Sequence, residues 1–293
     1  MASLQASTDH PDDERTPASP LLRKVHVQHE LMLPSRTPWR AFLLSEIDPE
    51  HATGPLAAFC FMTGFIDAIS FTAVFVWCGF QTGNFAQATL ACARIATTGE
   101  FVFLLADQQA AISLMAFNAG AFLGRIGDRV GPHTRAWLAG GTCAQAAATL
   151  LAGACIQMSG QESVSPARGT PVWTDGWTTV GLALMAWSLG LQAIIGKRLN
   201  THFSTTVVLT ALWVELVTDP LLFRVRGGRV ASRDHRMLAL AALFVGALLA
   251  RLMLSQVGAA VALGFAAGVR LIIAAAWLFV HEKGKGYLRL WDD

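Results

Sequence analysis

The feature that most constrains this fold is the length of its stretches without a charged residue. Residues 136–161 and 176–196 contain no Asp, Glu, Lys or Arg, and residues 54–93 carry only Asp67. An apolar stretch of about 20 residues is long enough to cross the hydrocarbon core of a bilayer as a helix. The sequence therefore predicts an all-α, polytopic membrane protein.

The composition excludes several other classes of protein. Charged residues make up 14% of the chain, against about 25% in soluble domains. The net charge of +2 gives no basic surface that could bind phosphate backbones. A soluble enzyme, a disordered regulator and a nucleic-acid-binding protein are therefore excluded, and the lipid bilayer is the expected surrounding.

Six apolar segments are predicted to span the membrane. They lie at about 54–79, 106–125, 136–158, 177–197, 236–254 and 258–280. Two further segments, about 81–97 and about 203–223, are ambiguous, so eight spans are the alternative to six. The asymmetry of Lys and Arg between the two sides is larger for six spans, and both counts place the two termini in the cytosol.

The polar ends of the chain are expected to lie outside the membrane. Residues 1–52 predict a disordered cytosolic tail, in which 38–48 is a candidate segment for the membrane surface. Residues 53–282 form the predicted transmembrane domain, and 283–293 a cytosolic tail. The cysteines form no CxxC pair, so we expect free thiols at Cys60, Cys78, Cys92, Cys143 and Cys155.

The chain carries an internal repeat of about 126 residues. Repeat one covers about 54–158 and repeat two about 177–280. Three patches align: Asp67-Ala68 with Gln192-Ala193, GAFLGR at 120–125 with GALLAR at 246–251, and Thr82 with Thr210. If the ambiguous segments are re-entrant, each repeat has three spans and the copies are inverted, which is a design used by transporters. If they span the membrane, the copies are parallel.

Asp67 is the candidate site residue with the strongest physical argument. It lies near the middle of the first apolar segment, and Thr63, Asp67 and Ser70 fall on one face of a helix. An ionised carboxylate at this depth is costly unless it is paired or hydrated. The functional hypothesis is a group that binds substrate or couples an ion. The structural hypothesis is an ion pair with Arg270, or with Arg125 nearer the interface.

Two polar segments are candidate binding elements beside Asp67. The first contains Gln81, Thr82, Gly83 and Asn84, where non-helical backbone would have to be buried or line a cavity; its alternative is a tight turn at the interface. The second contains Thr206, Thr210, Glu215 and Asp219. Gln192 is added to the candidate binding residues, although Gln145, Ser188 and Gln192 are each expected to make hydrogen bonds between helices.

Other functional patterns are few. We found no motif of a hydrolase or metalloprotease, so we expect no enzyme activity, no cofactor and no metal site. The Arg-rich loop from Arg224 to Arg236 is a candidate contact for anionic lipid. A homo-oligomer remains open.

Several motifs resemble those of the YoaK-like family, the domain of unknown function 1275. They are TGFIDA at 63–68, QTGN at 81–84 and FNAGAFLG at 117–124, followed by TTVVLT at 205–210 and ELVTDP at 215–220. The chain looks most like fungal members, which also carry a polar N-terminal tail. The resemblance implies a helical membrane protein with about six spans and assigns no activity.

The sequence leaves two functions open. The first is a secondary transporter or permease for a small solute or ion, with Asp67 at a site in the middle of the membrane. The alternative is a scaffold or assembly factor that does not transport, in which the same motifs pack helices together.

Overall fold

The computed structural model describes residues 38–167, 169–201, 206–207, 210–223 and 231–284, and these contain no β-strand. Of these, the residues from 42 onward belong to one compact unit, and residues 38–41 belong to another. The helices are α1 Pro38–Leu44, α2 Thr53–Val74, α3 Gln81–Thr98, α4 Leu105–Leu123, α5 Ile126–Val130, α6 Arg135–Ser159, α7 Gly176–Leu199, α8 Thr210–Val217 and α9 Ala231–Phe279.

Among the described residues, five helical stretches are long and apolar enough to cross a membrane. They are Thr53–Val74, Leu105–Val130, Arg135–Ser159, Gly176–Leu199 and Ser232–Phe279. The chain is therefore a multi-pass membrane protein, as its uncharged stretches predict. The ambiguous segment at 81–97 forms α3, which does not meet the same criteria of length and hydropathy.

The last helical stretch reverses its direction at Gly258. This glycine has φ 79° and ψ 172°, a conformation that side-chain-bearing residues rarely adopt. His235 lies beside Thr53, Ala259 donates to the Ser163 hydroxyl from the other end of the bundle, and the carbonyl of Val280 returns to Arg135. Residues 231–257 and 259–279 are therefore two antiparallel helices, which agrees with the predicted break between 254 and 258.

One end of the bundle, here called the near end, joins the start of the unit to its last described residues. Ile47 donates its N–H to the His133 carbonyl, and Lys283 donates to the Glu46 carbonyl. The Arg135 guanidinium donates to Ser45 and to the Val280 carbonyl. Ile47 is fully buried, so the chain already packs against the bundle before α2 begins.

The opposite end, here called the far end, is closed by the loop at 160–175. Val172 donates its N–H to the Ala73 carbonyl at the end of α2. Gln109 near the start of α4 donates to the Trp173 carbonyl. Asp175 caps α7 by accepting from the Thr178 hydroxyl and backbone N–H, and these bonds lower the pKa of the Asp175 carboxyl below its usual value.

The second ambiguous segment does not form a long helix where it is described. Within 203–223 the structure describes 206–207 and 210–223, of which only Thr210–Val217 is helical. Eight residues of helix extend about 12 Å, well short of a hydrocarbon core of about 30 Å. The Arg-rich loop lies largely outside the described residues, at 224–230.

Glycines bring the long helices into backbone contact. A Cβ added at Gly64 of α2 would lie 2.1 Å from the Leu243 carbonyl oxygen, and one added at Gly246 would lie 2.1 Å from the Phe61 carbonyl oxygen. The same reciprocal contact joins α4 to α7, where Gly120 faces the Trp187 carbonyl at 2.1 Å and Gly190 faces the Phe117 carbonyl at 2.0 Å. The corresponding residues of the two contacts are 126 positions apart.

The predicted small-residue faces differ in what they do. Gly120 and Gly124 both contact α7, where a Cβ on Gly124 would lie 2.1 Å from Ile194. Gly264 and Gly268 have no atom within 4 Å of an added Cβ. The second face therefore makes no close helix contact within the described part of the chain.

We expect Gly246→Ala to destabilise the protein strongly, because the new methyl group would overlap a carbonyl oxygen on α2. Overpacking of this kind costs about 1–3 kcal/mol or more. The measurement is the thermal unfolding midpoint of the purified protein in detergent. Gly264→Ala is the matched control and should leave the midpoint unchanged or slightly raised, because its site is open and alanine favours helix. Equal midpoints for both variants would contradict the close contact.

Candidate functional site

The chain turns back into the protein directly after α2. Phe75 adopts a left-handed conformation that ends the helix, and residues 76–80 then run back along it. The Gly79 backbone N–H donates to Asp67 Oδ1 at 2.7 Å. Asp67 lies about two helical turns before the end of α2 at Val74. A Cβ on residue 79 would lie 2.9 Å from Asp67 Oδ2, so only glycine fits there without displacing the carboxylate.

A segment from the second half of the chain reaches the same place. The Thr63 hydroxyl donates to the Thr206 carbonyl at 2.9 Å. A Cβ on Gly196 would lie 2.9 Å from Thr206 Oγ1, and one on Gly79 would lie 3.1 Å from Val207. The segments that follow α2 and α7 therefore meet between these two helices.

Gln192 links the two helices at this point. Its side-chain amide donates to the Phe59 carbonyl and to the Thr63 hydroxyl, both at 2.9 Å. Gln192 Oε1 and Thr206 Oγ1 are buried and have no hydrogen-bond partner. We name Thr63, Asp67, Gly79, Gln192 and Thr206 the Asp67 cluster. It combines a carboxylate with two unsatisfied oxygen atoms, which is a chemistry suited to a cation, a proton or a hydrogen-bond donor.

The QTGN segment forms a second polar cluster at the start of α3. Asn84 is 2% exposed, and its amide donates to the Trp77 carbonyl at 2.6 Å, to Gln81 Oε1 at 3.0 Å and to Ser113 at 3.1 Å. These bonds satisfy backbone and side-chain groups where the chain enters α3. Asn84 and Gln81 are therefore brought together with each other and with α4.

Other predicted site residues lie elsewhere. Thr82 is exposed, and Gly83 faces the ring of Phe80. Thr210 is exposed at the start of α8. Glu215 and Asp219 both pair with Arg236, at 3.0 and 3.1 Å. The described structure makes none of these five residues a member of the Asp67 cluster.

Arg270, the candidate ion-pair partner of Asp67, has other partners in the structure. Arg270 is fully buried, but it donates to Gln145 Oε1 at 2.6 Å and to Ser188 Oγ at 3.1 Å. Among the described residues no ion pair involves Asp67 or Arg270. The reason is that Arg270 faces α6 and α7, whereas Asp67 faces the returning segment.

The other proposed partner of Asp67 is also elsewhere. Arg125 is exposed, and its guanidinium lies over the ring of Phe122. The expected hydrogen bonds between helices are confirmed for Gln145, Ser188 and Gln192. The sequence reasoning did not include Gly79, although a glycine just before a polar QTGN segment is a signal for close backbone approach.

Comparisons with known proteins show the family. A family model described as a protein of unknown function (DUF1275) matches residues 56–276, which is most of the chain. A search of curated proteins found no match, and a search of solved structures found none. Within the described residues no group of three His, Cys, Asp or Glu side chains could hold a metal ion.

We expect the effects of Asp67→Asn and Arg270→Gln on stability to be additive. The two side chains make no contact, so the double variant should shift the thermal midpoint by the sum of the single shifts, with a coupling of less than about 0.5 kcal/mol. If either change reversed the destabilisation caused by the other, the result would support an ion pair between Asp67 and Arg270. Ser188→Ala combined with Arg270→Gln is the positive control, because those two side chains share a hydrogen bond.

Proposed function

We propose that this chain, a member of the DUF1275 family, is a secondary transporter or permease for a small solute or ion. The observation that carries the proposal is the meeting of two non-helical segments on the polar face of α2. There the Gly79 N–H donates to Asp67, and the Thr206 carbonyl accepts from Thr63. Non-helical backbone at membrane depth is tolerated where it is protein-buried or lines a cavity. Transporters use such discontinuous elements to build their substrate sites.

The proposed topology has six spans. The spans are α2, α4, α6, α7 and the two antiparallel parts of α9 on either side of Gly258. Near the start of helix α3, Asn84 bonds to Ser113, about two turns into α4. Further along α3, Arg94 pairs with Asp107, which lies near the start of α4 at the far end. It therefore enters and leaves at the far end. We place both termini in the cytosol, on the near side, in accordance with the distribution of positive charge.

The repeated glycine contacts support two inverted copies. Gly64 and Gly120 of the first half correspond to Gly190 and Gly246 of the second, each at an interval of 126 residues. With three spans in each copy, α2 runs from the near end to the far end, and α7 runs in the opposite direction. This arrangement places each copy's first span against the other copy's second span.

The two halves are not equivalent at the site itself. At an interval of 126 residues, Gln192 corresponds to Ile66 and Ala193 corresponds to Asp67, which differs by one position from the alignment of Asp67 with Gln192. The carboxylate therefore has no acidic counterpart in the second copy. We assign the coupling of a proton or cation to Asp67 and a hydrogen-bonding role to Gln192 and Thr206.

The six-span topology is tested by the side from which cysteines are labelled. In a background without the five native cysteines, Thr98→Cys and Gln161→Cys should react with an impermeant thiol reagent from the same side of the membrane. His133→Cys should react from the other side, because His133 lies at the near end. If Thr98→Cys and His133→Cys instead react from the same side, α3 crosses the membrane and the two copies are not inverted.

The transporter proposal is tested without knowing the substrate. A site that opens alternately to the two sides should allow Thr206→Cys to react with an impermeant thiol reagent applied from either side. Thr206 is 1% exposed in this structure, so the reaction requires the protein to open. The measurement is the rate of labelling in sealed, right-side-out and inside-out vesicles.

Thr142→Cys is the matched control for this experiment. Thr142 is also buried, but it lies between α6 and α9, where its hydroxyl oxygen accepts from the Trp277 indole at 3.1 Å. It should stay unreactive from both sides. If Thr206→Cys is equally unreactive, the chain is a static scaffold. If it reacts from one side alone, the site does not alternate.

A further inference from the structure

Arg270 is a cation buried in the middle of the bundle without an anionic partner. It lies 11 residues beyond Ala259, where the last helix resumes after Gly258, and is 0% exposed. Its two hydrogen-bond acceptors are an amide oxygen of Gln145 and the hydroxyl of Ser188, both neutral. A buried charge is costly unless it is paired, and the cost is greatest in a membrane.

Two hydrogen-bond donors at this place are unsatisfied. Arg270 Nε and Gln145 Nε2 are buried and have no acceptor within the described structure. Both belong to side chains joined to each other by the bond between Arg270 Nη1 and Gln145 Oε1. One charge and two free N–H donors on neighbouring groups are what an anion requires, because charge-assisted hydrogen bonds are the strongest that such a group can form.

We propose that Arg270 and Gln145 form a binding site for a small monovalent anion. The inference rests on the proposed function, because an anion can reach this depth only if the bundle opens. The anion accepts hydrogen bonds from Arg270 Nε and Gln145 Nε2 and neutralises the guanidinium. Ser188 keeps the guanidinium in place between α6 and α7.

This anion site and the Asp67 cluster are carried by the same face of α7. Ser188 and Gln192 are four residues apart, which places them one turn from each other on one side of the helix. Ser188 contacts Arg270 and Gln192 contacts Thr63. A displacement of α7 relative to its neighbours would therefore change both sites at once. The class of solute that this arrangement fits is an anion that moves together with a proton or cation held at Asp67.

The test measures anion binding to the full-length protein purified in detergent. The thermal midpoint is recorded at constant ionic strength while sodium gluconate is replaced by sodium chloride, formate or acetate. Because a ligand that binds the folded state stabilises it, we expect a saturable rise of a few degrees with at least one of the small anions. The comparison of chloride with formate and acetate separates a halide site from a carboxylate site.

Gln145→Glu makes the test specific for Arg270. The new carboxylate lies where Gln145 Oε1 now accepts from Arg270, so it should neutralise the guanidinium from within the protein. We expect a higher midpoint in gluconate alone and loss of the response to small anions. Gln109→Glu is the control, because Gln109 is equally buried at the far end and its replacement should leave the anion response intact.

Two outcomes would overturn the anion site. One is a wild-type midpoint that does not depend on the identity of the anion, and the other is a Gln145→Glu response equal to that of the wild type. Neither depends on the labelling of Thr206→Cys. Labelling from both sides without an anion response would remove the anion site and keep the transporter. An anion response with labelling of Thr206→Cys from one side alone would keep the binding site, reached from that side, and contradict alternating access.

Discussion

The hydrogen bond from the Gly79 N–H to the Asp67 carboxylate is the interaction on which the centre of this protein depends. In a membrane, a backbone group that leaves a helix must find a partner inside the protein, because no water or lipid headgroup is within reach. Asp67 supplies that partner for the segment that turns back after α2. The same carboxylate must itself be held away from lipid, and the returning segment covers it. Each element therefore makes the buried position of the other tolerable.

The glycine contacts between spans provide the rigid part of the molecule. At Gly64, Gly120, Gly190 and Gly246 the backbone of one helix lies directly on the backbone of another. Lipid gives no hydrophobic driving force between helices, so close approach and dispersion must hold them. The polar groups around Asn84 at the start of α3, around Thr206 and around Arg270 lie apart from these glycine contacts. The structure thus combines tightly packed helix pairs with polar groups that are not fully satisfied.

Much of this fold can be predicted from the sequence because the bilayer imposes a simple rule on helix length. The spans begin and end within a few residues of the predicted apolar segments. The reversal at Gly258 falls where the sequence predicts one apolar segment to end and the next to begin. Ile47 was not predicted to be buried, because its surroundings are polar and its backbone partner, His133, is distant in the chain. The periodicity of a sequence does not identify which residues contact each other in space.

The same limit applies to the hypothetical ion pair between Asp67 and Arg270. Two opposite charges at similar depth suggest a pair, but the direction in which each side chain points depends on how the helices are rotated about their axes. Gln145 and Ser188 were recognised as polar residues that face other helices, yet nothing in their spacing identifies Arg270 as the group they hold. Gly79 illustrates the opposite case. Its lack of a side chain is visible in the sequence, but the need for it becomes clear only when Asp67 lies beside it.

The packing of α2 against α9 has a consequence for how the protein is made. The first span finds its glycine contact at Gly246, and its aromatic contacts at Phe265 and Trp277, on the last helical stretch of the chain. The contact between α4 and α7 joins segments that leave the ribosome much closer together in time. Since domains are built from the N-terminus during synthesis, α2 must wait in the membrane, with its glycine and aromatic contacts unmade, until translation is nearly complete. The order of assembly is therefore from the middle of the chain outward, and the earliest segment to enter the bilayer is among the last to reach its final neighbours.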